Sequence, residues 1–172
     1  MQKSPILIDQ PEMWLAGFNF FGDPFQLRGG WDEENEIGRL WQRFTRFCAE
    51  QSPLLPPGLE PGVGYEVHIQ HLESSERGEF EVFTGYQVET CAPIPVQMGL
   101  KLIPSGQFAV FTLRGEEISA DWDADIAAWL IENGWVSDYG FNIQRYDQRF
   151  QGMEHLQDSE VDVWVPVRLA GK

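Results

Sequence analysis

The sequence predicts an α+β fold: two successive β-α-β-β (strand-helix-strand-strand) units joining in one antiparallel sheet, with one helix per unit. Three observations carry this expectation. Two stretches repeat apolar residues at helical spacing, several runs between them alternate apolar and polar residues, and the order of elements in the first half recurs in the second.

EMWLAGFNF (12–20), rich in aromatic residues, reads as the first strand. GGWDEEN follows, with Asp32 placed to cap a helix and acids filling its first turn, where the helix dipole favours them. Ile37, Leu40, Trp41, Phe44, Phe47 and Cys48 then recur along one stripe. The four prolines of QSPLLPPGLEPG forbid both helix and ladder, so a rigid loop is expected there. VGYEVHIQ (63–70) alternates, with Val63, Tyr65, Val67 and Ile69 on one face and Glu66 and His68 on the other. SSERG is a turn, and FEVFTGYQVE (80–89) is the second arm of a hairpin.

The second half starts with the strand QFAVFTLRG (107–115). A helix is expected next, carrying Ile118, Trp122, Ile126, Trp129 and Leu130 on one stripe and ending at Asn133 and Gly134. FNIQRYD (141–147) and EVDVWVPV (160–167) complete the unit, joined by a polar segment without a periodic signal. The chain thus divides into an N-terminal arm (1–11), one domain (12–168) with repeats over about 12–90 and 106–168, and a tail (169–172).

Composition restricts the partners. The chain holds 27 acidic against 12 basic residues, a formal net charge of −15. Such a field repels nucleic-acid phosphate and anionic membranes and attracts cations, so neither direct nucleic-acid nor membrane binding is expected. The N-terminal stretch lacks the apolar run of a signal peptide and no segment is long enough to span a bilayer, which points to a cytoplasmic, reduced protein. No cofactor or metal motif is present. Cys48 and Cys91 are far apart, the H-x-x-H of His68 and His71 puts its rings on opposite strand faces, and His155 stands apart. DWDAD (121–125) falls in a helix and lacks the glycine of a calcium loop.

Several runs resemble one family. MGLKLIPSGQFAVFTLRG (98–115) is similar to the "P-x-G-M…IPAG-x-YAVF-x-H-x-G" stretch of GyrI-like, or AraC-type, effector-binding domains. LWQRF (40–44) matches their "LW-x-x-F", AAWLIENGW (127–135) their "WL-x-x-SGY", and EVFTGYQVE the strand ending in "AG-x-EV". FNIQRYDQRF (141–150) is similar to "FE-x-YD-x-RF", and EVDVWVPV to the closing "SEVDIYIPI". The resemblance implies a small-molecule pocket where two units meet and a bulky, hydrophobic, frequently cationic ligand. It also implies a role in sensing or sequestration, linked to transcription regulation or multidrug response. The fold begins near residue 12, so a separate DNA-binding regulator would be the partner. At the family's acidic position stands Gln144, which bears no charge and transfers no proton, so the acid-base route of hydrolytic relatives is not expected. Two alternatives stay open, a hydrolase of a reactive electrophile and an inhibitor of a topoisomerase.

The candidate ligand-binding residues follow from strand faces and from the duplication. Gln144 and Tyr146 share a face and project into the same space. The repeat aligns Gln144 with Glu66 and Tyr146 with His68, so Glu66 is placed to supply from the first half the carboxylate missing at 144. Trp41 and Trp129 hold matching places on the two helices, and Phe44, Phe83 and Tyr86 are further aromatic candidates for the groove wall. Core packing is the competing reading for each of these aromatic residues.

Overall fold

The computed structural model describes residues 4–26, 33–72 and 74–171. Among them the strands are β1 (Ile6–Gln10), β2 (Met13–Gly22), β3 (Gly64–Ile69), β4 (Phe80–Val88), β5 (Gly99–Ile103), β6 (Gly106–Arg114), β7 (Trp135–Ser137), β8 (Phe141–Tyr146) and β9 (Glu160–Leu169). The helices are α1 (Glu36–Gln51), the single turn α2 (Ser74–Arg77) and α3 (Trp122–Glu132). All pairings are antiparallel, in the order β1-β6-β9-β8-β3-β4-β2-β5, with β7 beside β9.

That order is symmetric about its middle. Outward from the centre it runs β8-β9-β6-β1 in one direction and β3-β4-β2-β5 in the other. Equivalent strands of the two units therefore meet at β3 and β8. Their register sets Glu66 opposite Gln144, His68 opposite Asn142 and Gly64 opposite Tyr146. The duplication read from the sequence is thus a pseudo-dyad passing between Glu66 and Gln144. The edges are exchanged: β1 precedes the first unit yet pairs with β6 of the second, and β5, between the units, pairs with β2.

Each half buries its helix stripe on one face of the sheet. Leu40 and Phe44 of α1 pack with Ala16, Phe18, Val82 and Val88, and Ile37, Trp41, Phe47 and Cys48 join them. Ile126 and Leu130 of α3 pack with Phe111, Leu113, Val161 and Val163. The opposite sheet face has its own apolar cluster, including Leu15, Tyr65, Val67, Phe83, Phe108 and Ile143, in which no helix of the described residues takes part. Full burial of each such side chain contributes about 2 kcal/mol.

Three strands were not legible in the sequence: β1, β5 and β7. They are short and mostly exposed, so their apolar residues do not alternate cleanly. The expected cap Asp32 lies outside the described residues. Asn35 caps α1, its Oδ1 accepting the Gly38 N–H at 2.9 Å. The second helix starts later than its apolar stripe suggests. Ile118 is buried in a 3-10 turn, Gly115–Ser119, and extended backbone at Ala120 separates it from α3. The helix stops at Asn133, and Gly134 follows at φ 72°, which glycine adopts at little cost.

Candidate functional site

The polar faces of β3 and β8 form the floor of a cavity of about 850 Å³. Gly64, Glu66, His68 and the following Gln70 come from the β3 side, and Asn142, Gln144 and Tyr146 from β8. Alternation explains the chemistry: the odd residues Val67 and Ile143 are buried on the far face, which leaves the even ones to the cavity. Trp41, Ile37 and Thr45 of α1 line one wall, and Asp121, Trp122 and Asp123 at the start of α3 line another. Phe25, Phe80, Phe150 and Met153 add apolar surface.

At the centre lies Glu66, only 3% exposed. The Trp41 indole N–H donates to its Oε2 at 2.5 Å, and His68 Nε2 lies 2.6 Å from Oε1. Trp41 reaches Glu66 because Gly64 has no side chain; a Cβ there would stand 2.7 Å from the indole. Gly64→Ala is therefore expected to displace the ring and destabilise the fold by about 1–3 kcal/mol, the usual range for overpacking. Urea unfolding of this variant checks it, and an unchanged midpoint would refute the contact's importance.

Gln144, also 3% exposed, faces Glu66 across the ladder. Two carboxylates there, about 5 Å apart, would repel by roughly 3 kcal/mol at an effective dielectric of 20. An amide opposite the acid avoids that cost. Gln144 Oε1 accepts the Tyr146 hydroxyl at 2.9 Å. Burial, and then the Glu66 charge, push the Tyr146 phenol well above its ordinary range, so it stays protonated and donates. Its ring meets Trp41 and Phe150 edge-on at 5.3 and 5.0 Å.

The lining is electronegative. Glu33, Glu66, Asp121, Asp123 and Asp147 contribute to it, and among the described residues no lysine or arginine does. Desolvation raises the Asp123 carboxyl, with nearby His68 opposing and Asp121 adding to the rise. Asp147 is compensated differently. Arg149 Nη2 donates to it at 2.8 Å and to Asp162 at 2.5 Å, and Arg145 Nη1 donates to it at 2.5 Å. These bonds, Arg149's foremost, hold the Asp147 carboxyl well below the usual aspartate range against the opposing effect of burial.

A depressed folded value means stability that is present above the ordinary aspartate pKa, about 3.9, and lost as pH falls below it. The urea midpoint should therefore drop as pH falls from about 5 to 2. Asp147→Asn should be less stable at neutral pH and show a flatter decline. A decline identical to the wild type would remove Asp147 from the account.

The structure brings together Trp41, Glu66, His68, Gln144 and Tyr146 and places the other four candidates away from the lining. Phe44 is buried beneath α1 against Phe18. Phe83 lies in the cluster on the far face, with Lys101 Nζ 5.7 Å from its ring. Tyr86 packs on Phe44 and donates its hydroxyl to the Pro56 carbonyl at 3.1 Å. Trp129 meets Phe111 edge-on in the α3 core. Gln70 and Asn142 could have been added from strand alternation alone. Asp121, Asp123 and Phe150 had no local signal, because only folding brings the start of α3 and the turn after β8 to the strands.

The chain matches the family described as integron-associated effector binding protein over residues 7–167. It is 28% identical over 163 residues to the transcriptional regulator BrlR of Pseudomonas aeruginosa, an alignment covering 94% of this chain and 54% of BrlR. The chain therefore spans about half the length of that relative. Among solved structures, SAV2435 bound to tetraphenylphosphonium is similar with a TM-score of 0.67 at 14% identity, over 96% of this chain and 94% of that one. The EcmrR C-terminal domain gives 0.65 at 12%, over 99% and 100%. At such identities these structures speak for the fold alone. With the family match spanning both halves of the symmetric sheet, the chain belongs to the integron-associated effector-binding proteins, within the GyrI-like superfamily.

Proposed function

We propose that this domain binds a bulky, apolar cation in the cavity between its two units, as a sensing or sequestering module linked to transcription regulation. The observation that carries the reading is Glu66, a buried carboxylate at the centre of an aromatic cavity with no lysine or arginine among its described lining residues. A carboxylate withdrawn from water has lost hydration that a cation can partly replace. Each aromatic face turned to that cation contributes about 0.5–2 kcal/mol, and a few of them reach micromolar affinity, about 8 kcal/mol. The tetraphenylphosphonium held by SAV2435 supports the ligand class, and the likeness to BrlR supports the link to transcription. Gln144, whose amide does not titrate and cannot act as a general acid or base, favours binding over hydrolysis.

Titration with tetraphenylphosphonium followed by tryptophan fluorescence tests the reading. A saturable change at micromolar concentrations is expected, carried by Trp41 and Trp122 in the lining and retained in Trp129→Phe. Absence of saturable binding, to this ion and to a planar cationic dye alike, would overturn it.

A further inference from the structure

The Glu66 carboxylate already has a potential cation beside it. His68 Nε2 lies 2.6 Å from Oε1, with the two side chains 13% and 4% exposed. Histidine is the side chain whose ordinary titration falls between pH 5 and 8. The groups facing His68 come from four elements. Glu66 and Gln70 accompany it on the β3 side, and the Phe80 ring of β4 lies 5.3 Å away. From β8 come Asn142, opposite it in register, and Gln144, whose Nε2 is 3.5 Å from the imidazole. From α3 comes Asp123, whose carboxyl is influenced by His68, with Asp121 beside it. Among the described residues, the charged neighbours are all carboxylates and the remainder are neutral.

We infer that the imidazolium of His68 and the bound ligand compete for one carboxylate, so that cation uptake releases a proton. This deepens the proposed function and rests on it. The physical reason is charge balance in a small, partly dry space. Glu66 with protonated His68 is a neutral pair, and adding a second cation leaves one positive charge without a partner. Losing the imidazole proton to solvent restores neutrality around the ligand. The neutral ring can stay in place, because a phosphonium ion requires the charge of Glu66 but donates no hydrogen bond to it. The site would then favour cations whose charge does not depend on pH, since these keep their charge where His68 gives up its proton.

Tetraphenylphosphonium is the probe, because its charge is constant across the range. Its dissociation constant in the wild type should be flat near pH 8 and rise by up to about tenfold per pH unit on the acid side. Calorimetry near pH 6.5 in two buffers of different ionisation enthalpy should show proton release. His68→Gln should bind with little pH dependence between about pH 5.5 and 8 and release no proton. His68→Phe is the second variant should the first not fold. Asp123→Asn should move the acid limb to lower pH, because it removes a charge that favours the imidazolium.

A flat wild-type profile with good affinity would overturn the competition and leave the cation site standing. A pH dependence that survives both His68 variants would assign it to the carboxylates instead, and also overturn the inference. No binding at any pH would sink the cation site and this inference with it.

Discussion

Glu66→Gln is expected to weaken tetraphenylphosphonium binding by roughly 30-fold, about 2 kcal/mol, without unfolding the protein. A unit charge about 5 Å from a cation gives roughly 3 kcal/mol at an effective dielectric of 20, and part of this is offset because the carboxylate sheds its remaining hydration. Glutamine has the same shape, and its carbonyl can still accept the Trp41 indole N–H that Glu66 now holds at 2.5 Å. Stability should be unchanged or slightly higher, since a buried charge is costly to keep. Calorimetric titration with thermal unfolding in parallel separates the two effects. Wild-type affinity in a folded Glu66→Gln protein would mean that the aromatic walls alone hold the ligand.

The second large effect is expected at Phe83, and on stability. Its ring is 2% exposed and belongs to the sheet cluster that also holds Leu15, Val67 and Ile143. Phe83→Ala removes its contacts and leaves a void that a sheet face packed from both halves cannot readily close. The cost is about 3–5 kcal/mol, or roughly 10 °C in melting temperature for a domain of this size. Ligand affinity of the folded variant at low temperature should stay within about threefold of wild type, a change under 1 kcal/mol. A large loss of affinity with little loss of stability would return Phe83 to the cavity.

The contrast between Glu66 and Phe83 shows what local pattern could tell. Alternation put Glu66 on one face of β3 and Phe83 on the face of β4 away from Tyr86 and Val82, and both assignments hold. It did not say which face would meet a cavity. Glu66, His68, Gln144 and Tyr146 were legible because the duplication overlays their strands and a polar face on an otherwise buried strand is unusual. The aromatic residues were not, since Trp41 and Phe44 lie on one apolar stripe of α1, yet Trp41 reaches Glu66 while Phe44 is covered by Phe18 and Tyr86.

By itself, then, the sequence determined the two repeated units, the antiparallel strands, the face on which each strand carries its polar residues, and the correspondence of Glu66 with Gln144. These depend on periods of two and 3.6 residues, which a chain carries locally. Only the tertiary structure decided the register that sets Glu66 directly opposite Gln144, that the edge strands β1 and β5 would be exchanged between halves, and that Asp123 and Phe150 would border the cavity. Those outcomes depend on how elements distant in the chain pack and rotate against one another. Whether an aromatic ring becomes wall or core is fixed by what arrives opposite it.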